Sequence, residues 1–480
     1  MSDAEGRRFT LDLAEEELAA LLAGVTALAA GEVEAARDGA VFAEPPSAER
    51  VRSLVGADGP LPLDGEPLED LLHVCAEVLR AGRRTNPAFF GYVQSPPSPV
   101  GVAADLLASA AAQNVTAWRS APAAVELERL VVRWLARFVR YADDAAGILV
   151  GGGSAAILTA LLVALRARAD DDADRRARTV YVSSEGHFSI AKAAGALGLA
   201  VNRLPADGEQ RLDPAALRAA IAADRAAGRT PLAVVASAGT TATGAVDPLD
   251  AIADVAAEHT LWLHVDGAYG AAAAADPASR HLFAGMERAD SLSLDPHKWL
   301  YVPIDCGALL LRDGQATARA FGSGADDYVR VLSDEASEAF AFWEHGLELS
   351  RRFRALKVWM TFRYYGAQRI AGAIAEDIAM AEHLAELVAD DPHLEIVSGP
   401  HLSICCFRHV PAGAPEHALD RHNERLLAAL QRDGRVYLSN ATVDGRLALR
   451  ACITNFRTTR ADIRQTVDVV REIGARLATD

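Results

Sequence analysis

The sequence predicts an α/β protein built on a mostly parallel central sheet flanked by helices. Between residues 86 and 325, short β-branched runs alternate with helical patterns, as repeated βαβ units require. Several of those runs end directly in small or polar residues: Gly151-Gly152-Gly153-Ser154, Asp266-Gly267-Ala268 and Asp295-Pro296-His297-Lys298. Such residues at strand ends are where ligands approach an open α/β sheet. At 480 residues with 51% apolar content, the chain can also bury more than one core.

Along the chain, residues 1–85 form an N-terminal helical segment, with helical patterns from Leu11 through Arg37 and from Leu68 through Leu79. A turn-rich stretch around Glu44-Pro45-Pro46-Ser47 and from Gly56 to Gly65 separates the two. An arm of this kind is poorly placed to bury its apolar stripe alone. In the large domain, residues 86–325, the strand candidates are Gly147–Val150, Thr179–Val182, Leu232–Ala236, Leu261–Val265 and Ala308–Leu311. The charged run Arg168–Arg178 reads as an exposed helix end and loop. Residues 326–480 begin with a loop. Long helical patterns, short strands at Ile404–Arg408 and Leu447–Ile453, and a last helix from Arg460 then make a smaller α+β domain.

Composition narrows the function. Sixty-five acidic against 48 basic residues leave a net charge of −17, which disfavours nucleic acid or an anionic membrane as partner. Charges break the apolar runs before a membrane-spanning length, and the opening residues do not resemble a signal peptide. Five cysteines in so long a chain make no disulfide framework, and thiols fit a reducing cytoplasm.

The most informative stretch is Ser291–Trp299, Ser-Leu-Ser-Leu-Asp-Pro-His-Lys-Trp, read as a short strand ending in a turn. A lysine held there and partly desolvated offers an amine that attacks a carbonyl, which suits a Schiff base with pyridoxal phosphate (PLP). Taken by itself, His297-Lys298 reads more readily as a surface pair after a strand, and it is the surrounding context that overturns this. The run Gly151–Ser154, after one strand candidate and before a helical pattern, is where a phosphate finds unpaired amides and a helix dipole. It is also readable as a tight strand-to-helix turn. Asp266 ends another strand candidate, where a carboxylate would keep a pyridine nitrogen protonated; its alternative reading is a helix cap.

The motif Asp295-Pro296-His297-Lys298-Trp299-Leu300, with Asp305-Cys306-Gly307 after it, resembles the lysine motif of the group II PLP-dependent amino-acid decarboxylases. The resemblance runs from about Asn86 to the C-terminal helix, with His264-Val265-Asp266-Gly267-Ala268-Tyr269 and Ser184-Glu185-Gly186-His187 matching in order. Lys298 follows Asp266 by 32 residues, similar to the fold-type I PLP enzymes. The resemblance implies that fold, and PLP anchored on Lys298. It places Asp266 at the ring nitrogen, Ala268 and His187 on the ring faces, and Gly153, Ser154 and His297 at the phosphate. It also puts Thr240 at the ring oxygen or carboxylate region, with Thr241 as the neighbouring candidate. Tyr328, in a loop that closes over the neighbouring subunit's site, would be the proton donor. Tyr92, Thr116 and Arg450 would face the substrate. A homodimer is implied, with the N-terminal arm packed across the partner and the active site at the interface.

Two departures bear on these assignments. Asp295 stands where aromatic-amino-acid enzymes of the family carry asparagine, and a carboxylate there would repel a phosphate unless turned to a donor such as His297. Val93 and Thr116 are less aromatic than the pocket residues of aromatic-substrate relatives, which leaves the substrate aromatic, acidic or aliphatic. The reading is a decarboxylase converting an L-amino acid to its amine and CO₂. Transamination, decarboxylation coupled to aldehyde formation, and a catalytically silent scaffold are the alternatives.

Overall fold

The computed structural model describes residues 11–38, 40–41, 47–168, 175–322, 338 and 340–479. The expected turn at Glu44–Pro46, most of the charged run after Arg168, and the whole Asp326–Arg330 segment with Tyr328 lie outside the described residues.

The seven strands of the main sheet are β1 (Ala146–Val150), β2 (Arg178–Ser183), β3 (Ala200–Leu204), β4 (Thr230–Ser237), β5 (Trp262–Asp266), β6 (Ser291–Leu294) and β7 (Gly307–Leu311). Their order is β1-β7-β6-β5-β4-β2-β3. Strands β2 to β6 pair in parallel, whereas β7 runs antiparallel to both β1 and β6. The carboxyl ends of β1, β2, β4, β5 and β6 therefore share one edge of the sheet, and the amino end of β7 joins them.

Both faces of this sheet are buried. Val234 and Ala236 pack into one apolar cluster with the helix Leu249–His259, while Ala233 and Val235 pack into another with the helix Gly153–Arg168. Two-sided burial explains why Leu232–Ala236 is continuously apolar instead of alternating. Strand β3 was not among the expected strands. It is an edge strand whose Val201, Asn202 and Arg203 are not fully buried, so its sequence lacks the apolar run of the central strands.

The C-terminal unit holds a four-stranded antiparallel sheet of β8 (Leu394–His401), β9 (Ile404–His409), β10 (Ser439–Val443) and β11 (Arg446–Cys452), ordered β10-β11-β9-β8. The helices Ala367–Ala389, Glu416–Asp433 and Arg460–Thr479 contribute to its core. Residues 88–90 also join this unit: Phe90 N–H donates to Tyr437 O at 2.8 Å and Cys452 N–H donates to Phe90 O at 2.9 Å.

The N-terminal helices Glu15–Asp38 and Leu68–Arg80 keep apolar stripes in the open: Leu18, Leu22 and Val25 on one, Leu71, Val74 and Val78 on the other. The first corrects a sequence expectation. Glu15–Arg37 contains an 18-residue window apolar enough, by length and composition, to cross a membrane. Its alanines and leucines raise the apolar content without forming an uninterrupted leucine-valine run. It also opens on Glu15, Glu16 and Glu17, and Gly24 lies against Leu72 of the second helix.

Candidate active site

Loops from that sheet edge close around one cavity of about 470 Å³. Its wall includes Gly151–Ala155 after β1, His187 and Ser189 after β2, and Gly239 and Thr241 after β4. Asp266, Ala268 and Tyr269 follow β5, and Asp295, His297 and Lys298 follow β6. Fragments scattered over 148 residues of sequence converge because parallel strands deliver their carboxyl ends to the same side.

The glycine loop opens the helix Gly153–Arg168, whose first turn is held by Ala155 and Ala156 N–H donating to Gly152 O at 3.0 and 3.1 Å. Its packing requires the absence of side chains. A Cβ at Gly153 would stand 3.0 Å from Ala268 Cβ and 3.1 Å from Asp295 Oδ2. One at Gly307, the first residue of β7, would stand 2.5 Å from Gly152 Cα.

Asp266 is fixed at the end of β5 by two donors, Ser293 Oγ at 3.1 Å and Ala268 N–H at 3.2 Å. Ser293 is its register partner on β6, two residues before Asp295. The residues expected in a turn after β6 form a one-turn helix, Pro296–Trp299, with Lys298 N–H donating to Asp295 O at 2.8 Å. This places Lys298 Nζ 3.2 Å from Asp295 Oδ2 inside the cavity. Asp295 is buried, and its second oxygen, Oδ1, has no hydrogen-bond partner.

His187 caps the helix Phe188–Ala196, and its Nδ1 accepts from Ser189 N–H at 3.3 Å with Ser189 Oγ 2.6 Å away. Burial holds its imidazole below the ordinary histidine range; Asp266 pulls it back up and Lys298 pushes it further down. The ring is therefore neutral near pH 7, with its proton on Nε2. His297 Nδ1 lies 2.7 Å from Cys306 O, to which it donates, and its Nε2 is 3.8 Å from Asp295. Burial lowers this imidazole too, against the opposing pull of Asp295.

A family model described as "Pyridoxal-dependent decarboxylase conserved domain" matches residues 52–410. The chain belongs to the pyridoxal-dependent decarboxylase family. It is 34% identical to an aromatic-L-amino-acid decarboxylase of Bacillus atrophaeus over 424 residues, 87% of this chain and 88% of the relative. It is 35% identical to an L-2,4-diaminobutyrate decarboxylase of Rhizobium meliloti over 399 residues, 82% of this chain and 79% of the relative. A crystal structure of Oryza sativa TDC with PLP and tryptamine superposes with a TM-score of 0.90 at 29% identity, covering 98% of this chain and all of that one. The enzyme is a PLP-dependent amino-acid decarboxylase of fold type I.

The cavity fits that cofactor on its own terms. A helix N-terminus behind a loop too crowded for side chains suits a phosphate. A carboxylate held by two donors suits a protonated ring nitrogen, and Lys298 supplies the amine.

Several sequence expectations look different in three dimensions. Thr240 does not line the cavity: it is buried, with its hydroxyl 2.9 Å from that of Thr243, and the neighbouring Thr241 stands on the wall instead. The chain passes through Gly239 at a φ of +102° just before the two threonines. Tyr92, Thr116 and Arg450 also lie off this wall. The Arg450 guanidinium donates to Tyr92 O at 2.8 Å, Ala242 O at 3.1 Å and Ser439 Oγ at 3.2 Å, while its buried Nη2 has no partner. The Tyr92 hydroxyl turns away to Arg83 and Tyr437, and the buried Thr116 Oγ1 has no partner. Sequence reasoning missed Ser293, Ser189 and Tyr269. Ser293 carries no local signal, because it reaches Asp266 only through the register of β6 on β5.

Proposed function

We propose that the enzyme removes the α-carboxyl group of an L-amino acid to give the corresponding amine and CO₂. The observation that carries this reading is the meeting of Lys298 and Asp266 on one cavity wall beside the glycine loop. Bound PLP supplies the electron sink for the bond that breaks at the α-carbon. Lys298 carries the cofactor, and Asp266, held by Ser293 and Ala268, keeps its ring nitrogen protonated. Gly153, Ser154 and His297 hold the phosphate end. Ala268 and His187 bound the ring, and the neutral His187 adds no charge of its own there. Thr241 replaces Thr240 as the threonine contact. Arg450 orients Tyr92 and the 242 segment at the substrate's carboxylate end. Tyr328 delivers the proton to the α-carbon, which selects amine over aldehyde or ketone.

The working unit of this reading is a homodimer, supported by the exposed apolar stripes of the two N-terminal helices. The five free thiols suit a reducing compartment such as the cytoplasm. The test is CO₂ release by PLP-loaded enzyme across the common L-amino acids plus diaminobutyrate and ornithine. One of these substrates is expected to release CO₂ and yield its amine stoichiometrically. Lys298→Ala is expected to lose both the lysine-linked cofactor absorbance and the rate. Amine formation undiminished in that variant would remove Lys298 from the mechanism.

A further inference from the structure

Asp295 stands at the N-terminal position of the one-turn helix Pro296–Trp299, but its side chain makes no capping hydrogen bond there. Its Oδ2 pairs with Lys298 Nζ at 3.2 Å, and its buried Oδ1 is left with no donor. The pair is set by the backbone: Pro296 starts a single helical turn, so the i,i+3 spacing brings the two side chains to one face. Space for the carboxylate exists because residues 153 and 307 are glycines; a Cβ at Gly307 would lie 2.8 Å from Oδ1. The Asp295 side chain is 3% exposed and that of Lys298 is 23% exposed, so solvent screens the pair only in part.

We propose that Asp295 is a positioning residue that engages Lys298 Nζ in an ion pair in the cofactor-free enzyme and thereby restrains cofactor uptake. An ammonium has no lone pair. Uptake therefore requires the ion pair to open and Lys298 to release one proton to solvent before its nitrogen can bond to the aldehyde carbon, whose oxygen leaves as water.

The other charged groups around this pair are accounted for. Asp266 faces the same cavity but is held by Ser293 and Ala268. His187 faces it from the end of β2 with its imidazole neutral. His297 Nε2 lies 3.8 Å from Asp295 Oδ2, and burial lowers its imidazole, so it does not replace Lys298 as the cation at this carboxylate. Lys357, on the helix Ala355–Tyr365, pairs with Asp105 at 3.1 Å, and Arg354 pairs with Asp305 and Glu348. Asp295 is thus the counter-ion assigned to Lys298.

The chain has only three lysines, Lys192, Lys298 and Lys357, which makes the test direct. Full-length cofactor-free enzyme is acetylated at fixed pH, and Lys298 modification is followed by peptide mass spectrometry against Lys192 as internal reference. Cofactor uptake is followed separately by absorbance. Asp295→Asn is expected to raise both the Lys298:Lys192 labelling ratio and the uptake rate by roughly threefold or more, because the neutral side chain no longer engages Nζ in an ion pair. If Asp295→Asn does not fold, Asp295→Ser carries the same expectation. An unchanged labelling ratio in the neutral variant overturns the proposal. Faster uptake with an unchanged ratio overturns it as well, because that result assigns the effect to repulsion of the cofactor's phosphate alone.

Discussion

Gly307 shows how much of the site rests on single atoms. It is the first residue of a buried strand, and the glycine loop, Asp295 and Gly307 leave no room for a methyl group between them. Gly307→Ala is expected to push Gly152 out of place and weaken cofactor retention by about tenfold or more, within the cost of overpacking a tight contact. Spectral titration with PLP measures it, and wild-type retention would show that the loop yields freely. The residues legible in sequence were those whose place on the cavity wall is set by neighbours a few positions away. Lys298, Asp266, His187 and Gly153 each end or follow a strand, and all four reach one wall. What escaped was set by backbone phase or by distant strands. Thr240 and Thr241 are adjacent in sequence, yet Thr241 lines the cavity while the Thr240 hydroxyl turns to Thr243. Ser293 matters because β6 lies in register beside β5, a pairing that the local sequence does not announce.

Two polar clamps connect elements and hold the site's frame. The first is Arg351, whose buried guanidinium meets Glu128 at 2.5 Å and donates to Val115 O and Leu149 O, while Glu128 accepts from Leu149 N–H. It joins the helix Pro122–Phe138, strand β1 and the 115 segment just below the glycine loop. Arg351→Ala leaves Glu128 buried without its cation, so a loss of about 3–5 kcal/mol is expected in denaturant unfolding. A loss under about 1 kcal/mol would mean that Glu128 finds another donor. The second clamp is Asp377 on the helix Ala367–Ala389, which accepts from Trp299 Nε1 and Tyr301 Oη, both at 2.8 Å. Trp299 in turn stacks on Tyr269, so the clamp reaches both the Lys298 turn and the segment after Asp266. Burial pushes the Asp377 carboxyl up to about 7, and the two donors oppose that only in part. The folded chain then keeps this proton more tightly than the unfolded chain, whose carboxyl ionises near the ordinary value of 3.8. Stability contributed by Asp377 is therefore full below pH 4 and declines as pH rises towards about 7. Asp377→Asn is expected to flatten that part of the stability–pH curve, and an unaltered slope would assign it to other groups.

At the scale of the whole molecule, the folded body and the N-terminal arm make opposite demands. The main sheet buries both faces, and the C-terminal unit covers its own sheet, so neither requires a second chain to complete its core. The arm does. Leu18, Leu22 and Val25 recur at helical spacing on one exposed face, as do Leu71, Val74 and Val78 on the helix beside it. Neighbouring exposed stripes of this kind mark an association surface. They also explain how the arm can be apolar enough to match a membrane-spanning window while opening on three glutamates. In the proposed homodimer these stripes pack on the partner, and light scattering of the intact enzyme is expected to give twice the chain mass. Leu18→Glu combined with Leu22→Glu places charge in the middle of that surface. It is expected to shift the equilibrium towards single chains by a hundredfold or more, because about 2–3 kcal/mol is lost for each leucine no longer buried. Folding of the body, read by circular dichroism, should persist, since neither leucine touches its cores. CO₂ release should fall with the dimer fraction, because the resemblance places Tyr328 over the neighbouring chain's cavity. A single-chain mass for the wild type would leave the stripes needing another partner. Full activity in a monomeric double variant would place the proton donor within the same chain.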